Sequence, residues 1–104
     1  MIGKIELLGA TYEVVYKERV DEKDPEDYFT AGQYWSSIRK ICISTKNPDG
    51  TDREKESMEE ALFHEIVHCI LAEGSYHNSN DDEPLVEWIA KNLYHLVKTK
   101  QLKL

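Results

Sequence analysis

The chain has 104 residues, a length that predicts one small domain over residues 1–104 with a modest core. Its net charge of −7 argues against a nucleic-acid-binding protein that relies on neutralising phosphates. No apolar run is long enough to suggest a membrane span, no signal-peptide pattern is visible, and the two cysteines, Cys42 and Cys69, form no disulfide framework. We therefore expect a cytoplasmic protein that binds neither nucleic acid nor membrane.

The first half of the chain predicts a small sheet. Residues 4–8 and 11–17 alternate apolar and polar side chains, which predicts two strands. Gly9 and Ala10 between them are enough for a turn. The charged stretch 18–27 contains a proline and predicts a surface loop. Residues 38–44 form an apolar, strand-like run, and the turn sequence Asn-Pro-Asp-Gly at 47–50 follows it.

The second half predicts two helices. Residues 54–73 contain no glycine or proline and many strong helix formers, with Asp52 as a candidate N-cap and Gly74 as the stop. A second helix begins near residues 82–84, with Pro84 in its first turn, and runs to about Lys98. The expected fold class is α+β: a small antiparallel sheet of three to four strands, followed by two antiparallel helices.

The most informative motif lies in the first helix, where residues 64–68 read His-Glu-Ile-Val-His. Side chains four residues apart share a helix face, so His64 and His68 can direct their imidazoles at one metal ion. Glu65 lies beside them, where it can take a proton from a water molecule on the metal. This H-E-x-x-H spacing on a helix is typical of zinc metallopeptidases, although a packed histidine and a surface histidine can share it by chance.

A catalytic zinc ion needs three protein ligands and an open position for water. The second helix returns past the first, so its early acidic residues are the candidates for the third ligand: Asp81, Asp82, Glu83 and Glu87. We favour Glu87 because it lies within the helix, and Ala90 one turn later leaves room for close helix packing. Glu83 is the main competitor, and an ordinary exposed carboxylate is the alternative interpretation of Glu87.

Residues 62–68 together with Glu87-Trp88-Ile89-Ala90 resemble the small zincins of phages and prophages, including the ImmA/IrrE type. The resemblance covers residues 58–93 and does not extend clearly to the sheet. It implies a minimal zincin-like fold with Zn²⁺ bound by His64, His68 and Glu87, and with Glu65 as catalytic base. Such families often carry Asn or Asp one turn after the ligand glutamate, where this chain has Lys91.

The expected function is therefore zinc-dependent hydrolysis of a peptide bond in a cytoplasmic protein. A peptide substrate would add as a strand at a sheet edge formed by residues 33–44. Tyr34 and Trp35 are candidate lining residues there, although we favour core packing for both. Four side chains are candidates for stabilising the oxyanion: Tyr76, His77, Tyr94 and His95. The alternative function is a catalytically weak or inactive zinc-binding protein of a phage or mobile element that acts by binding a protein partner. A metal-free, purely structural helix is a third possibility.

Overall fold

A computed structural model describes residues 2–7, 9–20 and 29–101. Four strands precede three helices, so the predicted α+β class is confirmed. The charged loop predicted over residues 18–27 falls outside the described residues from position 21 onward. In chain order the elements are β1 (Ile2–Leu7), β2 (Ala10–Lys17), β3 (Gly32–Trp35), β4 (Lys40–Ser44), α1 (Lys55–Glu73), α2 (His77–Asn80) and α3 (Glu83–Lys98).

The sheet is mixed rather than purely antiparallel, which corrects one detail of the prediction. Its strand order is β1-β2-β4-β3, with antiparallel pairs at both ends and a parallel pair, β2 with β4, in the middle. Residues 41–44 of β4 are all buried, and an unbroken buried run is typical of a central strand. The predicted strand over 38–44 is thus central, and β3 is left at the edge of the sheet.

Helix α1 packs between the sheet and α3. Toward the sheet, Cys69 joins a cluster of buried side chains that includes Tyr12, Ile41 and Ile43. Toward α3, its Val67 packs in a second buried cluster. The other buried members of this cluster are Val86 and Ala90, so the small Ala90 does lie where the two helices approach each other. Burial on two sides gives α1 a fixed position from which its other residues can form a site.

Helix α1 ends at Glu73, next to Gly74, as predicted. The residue in the left-handed conformation after the helix is Ser75, however, and not the glycine. Gly74 is right-handed, with φ of −84°, whereas Ser75 has φ of 61°. Ser75 N–H donates to Ala72 O at 3.1 Å, and Tyr76 N–H donates to Leu71 O at 2.9 Å. These two bonds are those of a Schellman motif with serine in the usual glycine position.

The N-caps of the helices agree only in part with those predicted from the sequence. Asp52 is not the N-cap of α1; that position belongs to Glu54, and Asp52 pairs with Lys46. At the start of α3, Asp82 is the N-cap and accepts a hydrogen bond from Leu85 N at 3.2 Å, with Pro84 in the first turn as predicted. Within the described part of the chain, no helix is long and apolar enough to cross a membrane.

Candidate metal centre

Three side chains converge between α1 and α3. Nε2 of His64 lies 3.0 Å from Oε2 of Glu83, and Nε2 of His68 lies 3.0 Å from Oε1 of the same carboxylate. One ligand atom from each of the three residues can be chosen so that all lie within 4.8 Å of one another. The two histidines come from adjacent turns of α1, and Glu83 is the first residue of α3. This group could hold a metal ion.

The other nitrogen of each imidazole also has an oxygen partner. Nδ1 of His64 lies 2.9 Å from Oε2 of Glu87, and Nδ1 of His68 lies 2.6 Å from Oδ1 of Asn80. A histidine that donates Nδ1–H to such an oxygen presents the lone pair of Nε2 to a metal. Both imidazoles are therefore arranged to direct Nε2 toward Glu83.

The chemistry of this donor set decides whether the residues suit a metal. Two imidazole nitrogens and one carboxylate oxygen form the ligand set of many catalytic zinc sites, which keep a fourth position open. When the Nε2 atoms carry no proton, they and the Glu83 carboxylate form a set of three electron-pair donors, which a cation at its centre stabilises. The residues present thus fit a divalent ion of the zinc type.

Glu65 lies next to this group and is buried. It is 6% exposed, and its Oε2 has no hydrogen-bond partner among the described residues. Burial raises the pKa of this carboxyl from 4.5 to about 7; the nearby His68 opposes the shift, and Glu83 adds to it. A buried carboxyl with one unpartnered oxygen and a pKa near neutrality suits a general base.

The space for Glu65 depends on a glycine in the neighbouring strand. A Cβ atom at Gly32 would lie 3.1 Å from Cγ of Glu65 and 3.0 Å from Cδ1 of Ile43. Both distances are shorter than ordinary carbon contacts. The absence of a side chain at Gly32 therefore allows β3 and the Glu65 side chain to pack closely.

A cleft of about 840 Å³ opens over the group, and its lining includes β3 residues and all three members of the metal group. Arg53 is also in the lining, but its guanidinium donates to three carbonyl oxygens, those of Ala31, Ser44 and Ser57. Most of the other charged groups in the lining are acidic: Glu60, Glu65, Asp81, Glu83 and Glu87. The cleft runs beside β3, the edge strand of the sheet.

The structure brings His64, Glu65 and His68 together, as the motif predicts. Glu87, the favoured third ligand, lies beside the site but contacts Nδ1 of His64, and the three-residue group contains Glu83 instead. Tyr34 lines the cleft, whereas Trp35 does not. The four oxyanion candidates, Tyr76, His77, Tyr94 and His95, are also absent from its lining.

Two residues of the site, Gly32 and Asn80, are not predicted by the sequence. Asn80 lies within the polar stretch 75–81, which predicts only a loop, and its contact with His68 depends on the one-turn helix α2. Gly32 lies in an aromatic stretch whose strand boundaries the sequence does not define. An asparagine shortly before the acidic start of the second helix is the one signal that could have indicated a partner for a histidine.

No protein-family model matches the chain, and comparisons with curated proteins and with solved structures also find no match. The function must therefore be inferred from the geometry of the site and from the motif.

Proposed function

We propose that this protein is a zinc-dependent metallopeptidase that hydrolyses a peptide bond in a cytoplasmic protein. One observation supports the proposal above the others: the unpartnered, buried oxygen of Glu65 lies beside a group of two histidines and a carboxylate. A metal site alone needs no such base. The combination of a three-ligand site and a base is what metal-assisted hydrolysis requires.

Each residue has a separate task in this proposal. Bound zinc supplies Lewis acidity toward a water molecule and toward the scissile carbonyl. Glu65 accepts the proton of that water and then delivers it to the leaving amine. Its burial and the unpartnered Oε2 leave this carboxylate available for both transfers. The edge strand β3, which also lines the cleft, offers to an extended substrate the backbone groups on the side where no described strand pairs with it.

In this proposal Glu83 is the third ligand, in preference to Glu87. Its two oxygens reach Nε2 of both histidines, while Glu87 reaches only Nδ1 of His64. With Glu83 as ligand, the residue one turn later is Glu87, which serves as the acidic partner of a histidine. Lys91 then no longer occupies that partner position and instead lies 3.8 Å from the Glu87 carboxylate.

The experiment compares the wild type with Glu65→Gln, each reconstituted with zinc and measured for metal content. Both are incubated with a library of synthetic peptides, and new termini are identified by mass spectrometry. We expect about one zinc per chain in both proteins, as in other catalytic sites of this ligand type. We expect cleavage only by the wild type, because the variant keeps the ligands and loses the base. Chelation should abolish the cleavage.

Two outcomes would contradict the proposal at different points. Absence of zinc from the reconstituted wild type would exclude any zinc-dependent function. Zinc at full occupancy, with no cleavage above the Glu65→Gln background, would exclude the peptidase. It would leave the alternative, a zinc-binding protein of a phage or mobile element that acts on a protein partner.

A further inference from the structure

We propose that Asn80 and Tyr34 form a positioning pair that holds His68 in its metal-binding orientation and ties it to the edge strand. This inference rests on the metal site of the proposed function. Neither residue belongs to the metal group itself. The pair acts through the imidazole of His68, which is only 5% exposed.

The two residues hold the ring from different directions. Oδ1 of Asn80 lies 2.6 Å from Nδ1 of His68, at the edge of the ring. The ring of Tyr34 stacks on the face of the same imidazole, with centroids 5.0 Å apart and an interplanar angle of 13°. The hydrogen bond restricts rotation of the imidazole about its Cβ–Cγ bond. The stacked tyrosine restricts tilting of the ring plane. Together they direct Nε2 toward Glu83.

A third contact joins the two members of the pair, Asn80 and Tyr34, to each other. Nδ2 of Asn80 donates to the hydroxyl of Tyr34 at 2.9 Å, so both ends of this buried amide are used. The contact sets which end of the amide faces His68: with Nδ2 directed to the tyrosine, Oδ1 is left to accept from Nδ1–H. The histidine is therefore held as the tautomer whose Nε2 is free to bind a metal.

The choice of an amide over a carboxylate has an electrostatic consequence. The partner of His64 is already a carboxylate, Glu87, and the surroundings of the site also contain Glu65 and Glu83. A neutral acceptor at position 80 orients His68 without placing a further negative charge in a buried position. Asn80→Asp should consequently keep the orientation and increase the basicity of His68 toward the metal.

Tyr34 belongs to β3, so the pair also links the edge strand to the metal site. The tyrosine ring contacts His68, and the backbone of the same residue pairs with Ile41 of β4. A substrate strand that adds to β3 would lie in a register defined relative to the metal. Loss of the contact between Asn80 and Tyr34 should then lower the affinity for the metal and leave the position of the substrate strand less well defined.

The test measures zinc affinity by competition with a chromophoric chelator and the visible absorption spectrum of the Co²⁺-substituted protein. We expect Asn80→Ala to weaken zinc binding by about 10- to 100-fold and to change the cobalt spectrum. Tyr34→Phe keeps the ring and removes the hydroxyl, so its effect should be smaller. Asn80→Asp should restore affinity to at least the wild-type value.

The matched control is Asn78→Ala, because Asn78 lies on the same short helix and is exposed. It should bind zinc as the wild type does. A double-mutant cycle between Asn80→Ala and Tyr34→Phe should show non-additive effects on zinc affinity, since the two residues act through one contact. The melting temperature of each metal-free variant separates this role from a loss of stability alone.

The proposal is overturned if zinc affinity and cobalt spectrum in Asn80→Ala match those of Asn78→Ala. If Asn80→Ala does not fold, the nearly isosteric Tyr34→Phe decides, and an unchanged affinity and spectrum in that variant overturn the proposal. A wild type that binds no zinc removes this inference together with the proposed function. A wild type that binds zinc but cleaves nothing removes the peptidase alone.

Discussion

Glu83 and Glu87 contact opposite nitrogens of one imidazole, although they lie one turn apart on the same helix. Oε2 of Glu83 is 3.0 Å from Nε2 of His64, and Oε2 of Glu87 is 2.9 Å from Nδ1. Residues four apart share a helix face, so a single face of α3 supplies both the candidate ligand and the partner that orients the ligand histidine. Two carboxylates on one helix face therefore occupy different positions relative to His64.

This difference predicts unequal effects on metal binding. Glu87→Ala should weaken zinc binding by about 10- to 100-fold, the range typical of a residue that orients a ligand. Glu83→Ala removes a ligand and should weaken binding well beyond that range. Isothermal titration calorimetry on the two variants measures both effects. If Glu87→Ala proves the more damaging, Glu87 is the third ligand, as the sequence suggests.

Zinc should stabilise the fold, because its ligands come from two helices that pack side by side. A ligand at about 100 times its dissociation constant adds about 2.7 kcal/mol to the free energy of unfolding. For a domain of this size, that corresponds to a rise in melting temperature on the order of 10 °C. Differential scanning fluorimetry with zinc and with a chelator measures the shift.

The control for this stabilisation is a pair of histidine variants. His64→Ala should lose the zinc-dependent rise in melting temperature. His95→Ala should keep it, because His95 is exposed on α3 and takes no part in the metal group. An equal rise in both variants would show that zinc binds elsewhere.

Gly32→Ala should impair catalysis more than metal binding. The new Cβ would meet Glu65 at 3.1 Å and Ile43 at 3.0 Å, so the Glu65 side chain must move. We expect a loss of about 1–3 kcal/mol in the free energy of unfolding, typical of overpacking, and a lower turnover at nearly unchanged zinc affinity. Chemical denaturation and peptide cleavage measure these effects.

Gly3→Ala is the matched control, because Gly3 also lies in a strand and a Cβ there would meet nothing within 4 Å. It should leave turnover unchanged. If Gly32→Ala cleaves peptides as fast as Gly3→Ala, the close packing of β3 on Glu65 is not needed for the base.

The stability of the metal-free protein should depend on the protonation of Glu65. Its pKa is about 7 in the folded state against 4.5 for the ordinary group, so between these values the unfolded chain ionises while the folded protein keeps the proton. The contribution of Glu65 is therefore fully present below pH 4.5 and is lost as the pH rises toward 7. A tenfold difference between the proton affinities of the two states corresponds to about 1.4 kcal/mol in the free energy of unfolding.

Glu65→Gln removes this titration. In the presence of a chelator, the variant should gain stability relative to the wild type between about pH 4.5 and 7 and keep a constant difference above that range. Urea denaturation across the range measures the difference. A difference independent of pH would mean that Glu65 is not buried in its neutral form.

The candidate metal site could be predicted in part because two of its three residues follow a local rule. His64 and His68 share a helix face through their spacing alone, and the absence of glycine and proline predicts the helix that carries them. The choice between Glu83 and Glu87 depends on how α3 is placed against α1. That placement is set by packing at Val67 and Ala90 and by the Schellman motif at Ser75, which no short pattern encodes.

The mixed sheet could not be predicted from local patterns for a related reason. Alternation in β2 and the apolar run of β4 predict strands, but neither pattern tells which strands are neighbours. The parallel pairing of Val14 with Ile41 joins residues far apart in the sequence. Tyr34 approaches His68 only because this pairing leaves β3 at the edge beside α1, so the partners of the ligands were less predictable than the ligands.

The parallel pairing of β2 with β4 also affects the order in which the parts of the candidate site form during folding. The helices that carry His64, His68 and Glu83 are joined by residues 74–82, whereas β2 and β4 are joined by the longer segment 18–39, which includes β3. Short loops close sooner than long ones, and non-local strand pairing slows folding. We therefore expect the two helices, and with them the three residues of the candidate site, to pair before the β2–β4 contact completes the sheet. Because Glu65 lies on the same helix as His64 and His68, an ion captured at that stage would already have this carboxyl beside it, and the edge strand β3 would then close over a preformed group.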